Sequence, residues 1–220
     1  MKKAIIILSG GMDSGVLLAD YTNRMQILQC IFFDYGSKHN HSEKLCAKKL
    51  AKTYEAKLSV IELPFISEHF DSSLLKSSNK DIPEGHYQSK TMKSTVVPFR
   101  NGIMLSIAAG FAESANADIV LIGSHAGDHA IYPDCRPEFT RAFSDAVIAG
   151  TYNNIKIYAP YSNLTKLQIA ERGRTLDFSF EDTWSCYKGE NLHCGVCGTC
   201  VERKEALGYT KGTDPTEYKS

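Results

Sequence analysis

Residues 9–14 read Ser9-Gly10-Gly11-Met12-Asp13-Ser14, directly after an apolar run, Ala4–Leu8, that fits a buried first strand. A helix whose apolar face is Val16, Leu17, Leu18 and Tyr21 follows at once. A strand, a glycine turn and a helix in that order bare a cluster of backbone N–H groups at a positive helix end, and an anionic phosphate fits there. The loop is too short for the G-x-x-x-x-G-K-[ST] pattern and carries no lysine, which excludes an ordinary kinase or GTPase phosphate loop. A plain glycine turn is the alternative for this composition. The position after the first strand, with Ser9 and Ser14 paired across the turn, favours nucleotide binding.

Apolar runs alternate with helical patterns through most of the chain. Strands are expected at Ala4–Leu8, Gln26–Phe33, Lys57–Leu63, Ile119–Ile122 and Ile155–Tyr158, with helices at Gly15–Asn23, His41–Tyr54, Asn101–Asn116, Glu138–Thr151 and near Thr165–Thr175. That alternation predicts an α/β fold: an open parallel sheet with helices on both faces. The segment 64–100, broken by Pro83, Gly85 and Pro98, reads as mostly loop, and a long irregular stretch in a compact domain is often functional. In an open parallel sheet, ligands gather beyond the carboxyl ends of the strands. Three polar, glycine-bearing loops, Ser9–Ser14, Asp34-Tyr35-Gly36 and Gly123–His125, are therefore expected to meet at one edge.

A chain of 220 residues supports one sizeable core, so 1–220 is read as a single domain. Lys+Arg and Asp+Glu both number 25, which gives no electrostatic drive toward nucleic acid or an anionic membrane. No stretch reaches the roughly 18 apolar residues of a membrane span. Small-molecule partners and a cytoplasmic location are the expectation.

Seven cysteines are unevenly placed. Cys30, on an apolar strand, and Cys46, on a helix, read as packing residues. Cys186, Cys194, Cys197 and Cys200 form a cluster whose glycines, Gly189, Gly195 and Gly198, let the backbone wrap an ion. Four thiolates suit one tetrahedral, structural Zn²⁺ per chain, in a zinc knuckle over 186–200, with an iron–sulfur cluster as the competing occupant. His193 beside them reads as a surface histidine.

The S-G-G-x-D-S string resembles the pyrophosphatase loop of enzymes that split ATP between the α and β phosphates. That resemblance implies ATP contacts from Leu8, Ser9, Gly10, Gly11, Met12, Asp13, Ser14 and Gly15, the N–H groups of Gly10, Gly11 and Ser14 on the leaving pyrophosphate, and Mg²⁺ at Asp13. The segments F-F-D-Y-G-S-K-H (32–39), S-T-V-V-P-F-R-N (94–101) and H-A-I-Y-P-D-C-R-P-E-F (129–139), with the four-cysteine tail, extend it. In this order they resemble the 7-cyano-7-deazaguanine synthase family over nearly the whole chain. The resemblance implies an adenine-nucleotide-hydrolase-like Rossmannoid fold and an ATP-dependent ligase of queuosine and deazapurine biosynthesis. Its substrates would be 7-carboxy-7-deazaguanine, ammonia and ATP, and its products the nitrile, AMP and pyrophosphate. The chain departs from the family at Ser37-Lys38, where Gln-Arg is common, and at Phe99, where Gly or Asn is frequent.

Within that frame Asp13, Arg100 and Lys166 are the expected catalytic charges, the two cations countering charge at the α-phosphorus. Asp34 is expected at Mg²⁺ or ribose. Asp134, Arg136 and Glu138 are the expected substrate set: carboxylates for the guanine-like edge, a guanidinium for the carboxylate. A purely structural capping arrangement around Pro137 and Glu138 is the alternative. His39 can serve as acid or base with Glu43 orienting it, and His125 and Asp128 can touch either ligand. Cys135 is left open between nucleophile and packed thiol. No glutaminase domain fits, so ammonia would come from solution or a partner, and a homodimer is one admissible assembly. A tRNA-modifying thiolase and a noncatalytic nucleotide- and zinc-binding module are the competing readings.

Overall fold

The computed structural model describes residues 1–86, 90–208 and 211–219. Five strands, β1 (Lys3–Ile7), β2 (Gln26–Asp34), β3 (Leu58–Glu62), β4 (Ile119–Leu121) and β5 (Lys156–Tyr158), form one sheet in the order β3-β2-β1-β4-β5. Every pairing is parallel. The order reverses at β1, so the crevice beyond its carboxyl end lies at the switch point where open α/β sheets take ligands.

Alternation along β1 divides the core between the two sheet faces. Ala4, Ile6 and Leu8 pack with residues of helices α1 (Met12–Thr22), α2 (Asn40–Thr53), α6 (Lys166–Thr175) and α7 (Gly198–Leu207). Ile5 and Ile7 pack with α3 (Pro64–His69), α4 (Arg100–Ser114) and α5 (Pro137–Gly150). Ile5, Ile6 and Leu8 have no exposed surface, and each such burial contributes roughly 1.5–3 kcal/mol.

The expected alternation is present, with three differences. Helix α1 starts at Met12, not Gly15, because Gly11 already serves as its N-cap; Asp13 and Ser14 therefore sit in the first turn. The stretch 64–100 is not loop throughout: Pro64 at the first helical position starts α3, and 90–95 form a short 3₁₀ turn. The cysteine-rich tail carries a further helix, α7, and is built into the core, with Cys186 and Cys197 in one apolar cluster and Ala206 and Leu207 in the other. Glycine and cysteine spacing masked that helix. Among the described residues no helix is long and apolar enough to cross a membrane.

Candidate active site

The loop between β1 and α1 is held from several sides. Gly10 has φ +80°, and a Cβ there would lie 2.1 Å from the Glu43 carbonyl oxygen, so only glycine fits. Ser9 Oγ and Ser14 Oγ lie 3.0 Å apart, and the Gly11 N–H donates to Ser9 Oγ at 3.2 Å. Gly11 supplies no capping side chain, which leaves the first-turn N–H groups of α1 without intrahelical acceptors. Gly123, just beyond β4, approaches so closely that an added Cβ would lie 3.2 Å from the Ser14 nitrogen.

A cleft of about 1090 Å³, counting open space at its mouth, runs from this loop along the sheet edge. Ser9, Gly11, Met12, Asp13 and Ser14 line it, joined by Tyr35, Ser124 and His125 from the other two loops. The three loops expected at one edge do meet there.

An ionic cluster occupies the cleft beside the loop. Lys166, at the first position of α6, places Nζ 2.6 Å from Asp13 Oδ2, 3.5 Å from Glu202 Oε2 and 3.4 Å from His125 Nε2. The capping box of Thr165 and Gln168 fixes that helix start. Burial by itself would lower the Lys166 pKa, but Asp13, Glu202 and Asp128 outweigh it and raise the value, so the ammonium is retained. Burial likewise works against the Asp13 carboxylate, yet Lys166 and His125 bring its pKa below the usual range. His125 Nδ1 accepts the Gly127 N–H at 3.0 Å, so its Nε2 side faces the acidic groups: Asp128 Oδ1 at 3.5 Å, Glu202 Oε2 at 3.9 Å and Asp13 Oδ2 at 4.0 Å. Asp13 Oδ1 is buried and has no hydrogen-bond partner among the described residues, the kind of carboxylate oxygen that a hard divalent cation takes.

A second cluster lines the same cleft: Arg100, Asn101, Tyr35, His39, Glu43, Tyr132, Cys135 and Tyr187. Arg100 Nη1 donates to Tyr35 Oη at 3.2 Å and Nη2 to Asn101 Oδ1 at 3.4 Å. The Tyr187 carbonyl can only accept, so His39 Nδ1 carries the proton at their 3.3 Å contact and Nε2 presents its lone pair 3.6 Å from Glu43 Oε2. Burial pushes the Glu43 carboxyl up to about 8, against the pull of Arg100, and lowers His39 to about 4, so the pair is neutral near pH 7. Tyr132 bridges Thr95 Oγ1 at 2.8 Å and Tyr187 Oη at 3.4 Å, and with Trp184 these rings give the cleft aromatic walls.

The four sulfurs of Cys186, Cys194, Cys197 and Cys200 lie within 4.8 Å of one another and are buried. A tetrahedral site with Zn–S of about 2.3 Å sets sulfurs about 3.8 Å apart, so the set fits one ion. The Cys194 N–H points at Cys186 Sγ and the Cys197 N–H at Cys194 Sγ, both at 3.3 Å, which stabilises thiolate charge. His193, expected at the surface, is buried: its Nε2 accepts the Ser185 N–H at 3.1 Å and its ring lies 4.2 Å from Trp184. It orders the chain beside the metal site and is not exposed.

Asp13, Arg100 and Lys166 thus share one cleft, and Leu8, Gly10 and Gly15 belong to the loop structure behind it. Asp34 is paired with Lys44 at 2.6 Å and does not line the cleft. Asp134 accepts the Asn101 N–H at 2.8 Å, Arg136 donates Nε–H to the His129 carbonyl at 3.0 Å, and Glu138 is exposed in the first turn of α5. None of these three lines the cleft. Ser37 donates to Asn40 Oδ1 at 3.1 Å and Lys38 to the Lys80 carbonyl at 2.7 Å, which makes both departures from the family pattern local struts. Phe99 has φ +51°, the left-handed region that Gly and Asn enter at least cost. Sequence reasoning missed Glu202, Trp184, Ser185 and Thr199, because all four come from the metal-binding tail. It also missed Arg203, fully buried with its guanidinium held by Thr216, Thr183, Ser185 and the Phe180 carbonyl.

Comparison with known proteins adds the following. Residues 3–211 match the family model described as queuosine biosynthesis protein QueC. The chain is similar to the 7-cyano-7-deazaguanine synthase of Desulfotalea psychrophila, 56% identical over 218 residues, covering 99% of each chain. It is 52% identical over 218 residues to the enzyme of that name from Porphyromonas gingivalis, covering 99% of this chain and 98% of the other. Among solved structures, a 4-thiouridine synthetase–RNA complex with bound ATP aligns over 97% of this chain and 52% of that one, with TM-score 0.51 and 15% identity, a likeness of fold alone.

Proposed function

We propose a function from one premise: the chain belongs to the family of queuosine biosynthesis protein QueC. It is an ATP-dependent carbon–nitrogen ligase that converts 7-carboxy-7-deazaguanine and ammonia into 7-cyano-7-deazaguanine, releasing AMP and pyrophosphate. The observation that carries this reading is the single cleft in which the S-G-G-M-D-S loop with Asp13 and Lys166 adjoins a second, aromatic-walled cluster around Arg100. One cluster suits a polyphosphate and the other a flat acid.

A carboxylate resists ammonia because its leaving group would be oxide. Attack of its oxygen on the α-phosphorus of ATP forms the acyl adenylate and expels pyrophosphate toward the N–H groups of the loop and the Lys166 ammonium. Ammonia then adds to the acyl carbon, loses a proton and displaces AMP, leaving the amide. A second adenylation on the amide oxygen, followed by loss of two protons and AMP, gives the nitrile. The same cleft serves both rounds because the electrophile is ATP each time. Asp13 would hold Mg²⁺ through its free oxygen, and the ion would neutralise phosphate charge. The four cysteines would hold one structural Zn²⁺, with no ligand position left for catalysis. A reducing compartment such as the cytoplasm keeps those thiolates free for metal.

ATP–pyrophosphate exchange tests the reading. Exchange is expected only when the acid or its amide is supplied. Exchange driven by tRNA and indifferent to the acid would contradict it and favour a base-modifying enzyme.

A further inference from the structure

Arg100 is a half-buried cation whose guanidinium lies over the Tyr35 ring, 5.5 Å from its centroid. It occupies the first position of α4, where the positive end of the helix dipole disfavours it. Among the described residues no carboxylate lies within 4.0 Å of its guanidinium. The nearby Asp134 carboxylate is engaged with the Asn101 N–H. Of the five N–H groups a guanidinium carries, hydrogen bonds to Tyr35 Oη and Asn101 Oδ1 use two. The residue itself lines the cleft. Glu43, the carboxyl on the same wall, holds its proton to about pH 8, and His39 is neutral above about pH 4, so this wall carries a net positive charge. A half-buried guanidinium with N–H groups to spare is a ready receptor for an anion.

The geometry points to Arg100, rather than Arg136, as the receptor for the substrate's carboxylate, within a subsite for a planar aromatic monoacid. Tyr35, Tyr132, Tyr187 and Trp184 line the cleft as aromatic neighbours for the ring, while the planar guanidinium fork matches a carboxylate in two-pronged fashion. The Arg136 Nε–H is already spent on the His129 carbonyl, and its side chain is not part of the cleft wall. Tyr35 and Asn101 are positioning residues that aim the fork. This inference rests on the proposed ligase reading for the identity of the acid but not for the existence of the anion site.

Calorimetric titration of the full chain tests it, with 7-carboxy-7-deazaguanine, its neutral carboxamide and ATP as ligands. Arg100→Gln is expected to weaken the acid at least about tenfold, the carboxamide less than about threefold and ATP not at all. Arg100→Lys keeps charge without the fork. It is expected to lose several-fold in acid affinity alone, and it carries the test should the glutamine variant not fold. Equal losses for acid and carboxamide, a loss confined to ATP, or a selective acid loss in Arg136→Lys instead would overturn the assignment. A wild-type chain that binds the acid through Arg100 yet forms no acyl adenylate would instead overturn the ligase reading.

Discussion

Single side chains carry the sharpest expectations. Asp13 has one oxygen on Lys166 and one unsatisfied, so Asp13→Asn removes the metal-directed charge while leaving the loop intact. The variant is expected to fold normally and to lose at least roughly 10²-fold in pyrophosphate exchange, the scale seen when one electrostatic group is removed from a phosphoryl- or acyl-transfer site. Exchange at the wild-type rate would remove Asp13 from the mechanism. Glu43 gives an expectation in pH. Its carboxyl is held to about 8 in the fold against 4.5 when unperturbed, so between those values the unfolded chain releases a proton that the native one keeps. Stability from this group is therefore full below about pH 4.5 and falls as pH rises toward 8. Glu43→Gln abolishes that loss, and the His39 contribution is shared by both proteins. The variant should match wild type near pH 4 and exceed it by on the order of 3 kcal/mol near pH 7 in denaturant melts. Superimposable curves across that range would mean that Glu43 is ionised in the fold. At this level the meeting of the loop residues, Lys166 and Arg100 in one cleft was legible from motif and charge. The burial of His193 and the engagement of Asp134 and Arg136 with backbone groups were not, because each depends on neighbours distant in the chain.

Among strands and helices, the metal segment does more than close a tail. The Trp184 backbone N–H donates to the Gly10 carbonyl at 2.9 Å, Thr199 lines the cleft and Glu202, two residues beyond Cys200, reaches Lys166. Helix α7 is thus a wall of the candidate active site, tethered by thiolates at its start. Removing the metal should therefore weaken nucleotide binding as well as folding. Cys197→Ser is expected to lose bound zinc and stability on the order of 4 kcal/mol, as losses of structural metal do. Elemental analysis with melting curves checks it; full stability without metal, or iron in place of zinc, would overturn the structural-zinc assignment. The four-cysteine spacing made the metal site readable in advance. The helix that follows was hidden, since Gly198 and Cys200 break the aliphatic pattern that marks helices elsewhere. Phe99 shows the reverse case, where a departure from the family's Gly or Asn falls on a residue that the fold holds at φ +51°. Its ring meets Phe139 edge-on at 5.7 Å, a contact worth roughly 0.5–1.5 kcal/mol that offsets part of the backbone strain.

Across the chain, strict alternation of apolar strands and amphipathic helices was enough to specify a parallel sheet, and the strand-end loops enough to locate the edge where the cleft opens. What alternation could not reveal is that the cysteine-rich tail folds back over that edge, so that residues from 184–202 complete a cleft begun by residues 9–14. This closure brings Trp184, Ser185 and Thr199 into the same cleft as the 9–14 loop, and the proposed function places two successive adenylations there. Mass analysis after incubating the zinc-loaded protein with 7-carboxy-7-deazaguanine, ammonium and MgATP tests that account. The expected result is conversion of the acid to the nitrile, with the amide as a transient and two AMP and two pyrophosphate formed per nitrile. Accumulation of amide as the end product, or cleavage of ATP to ADP and phosphate, would contradict it.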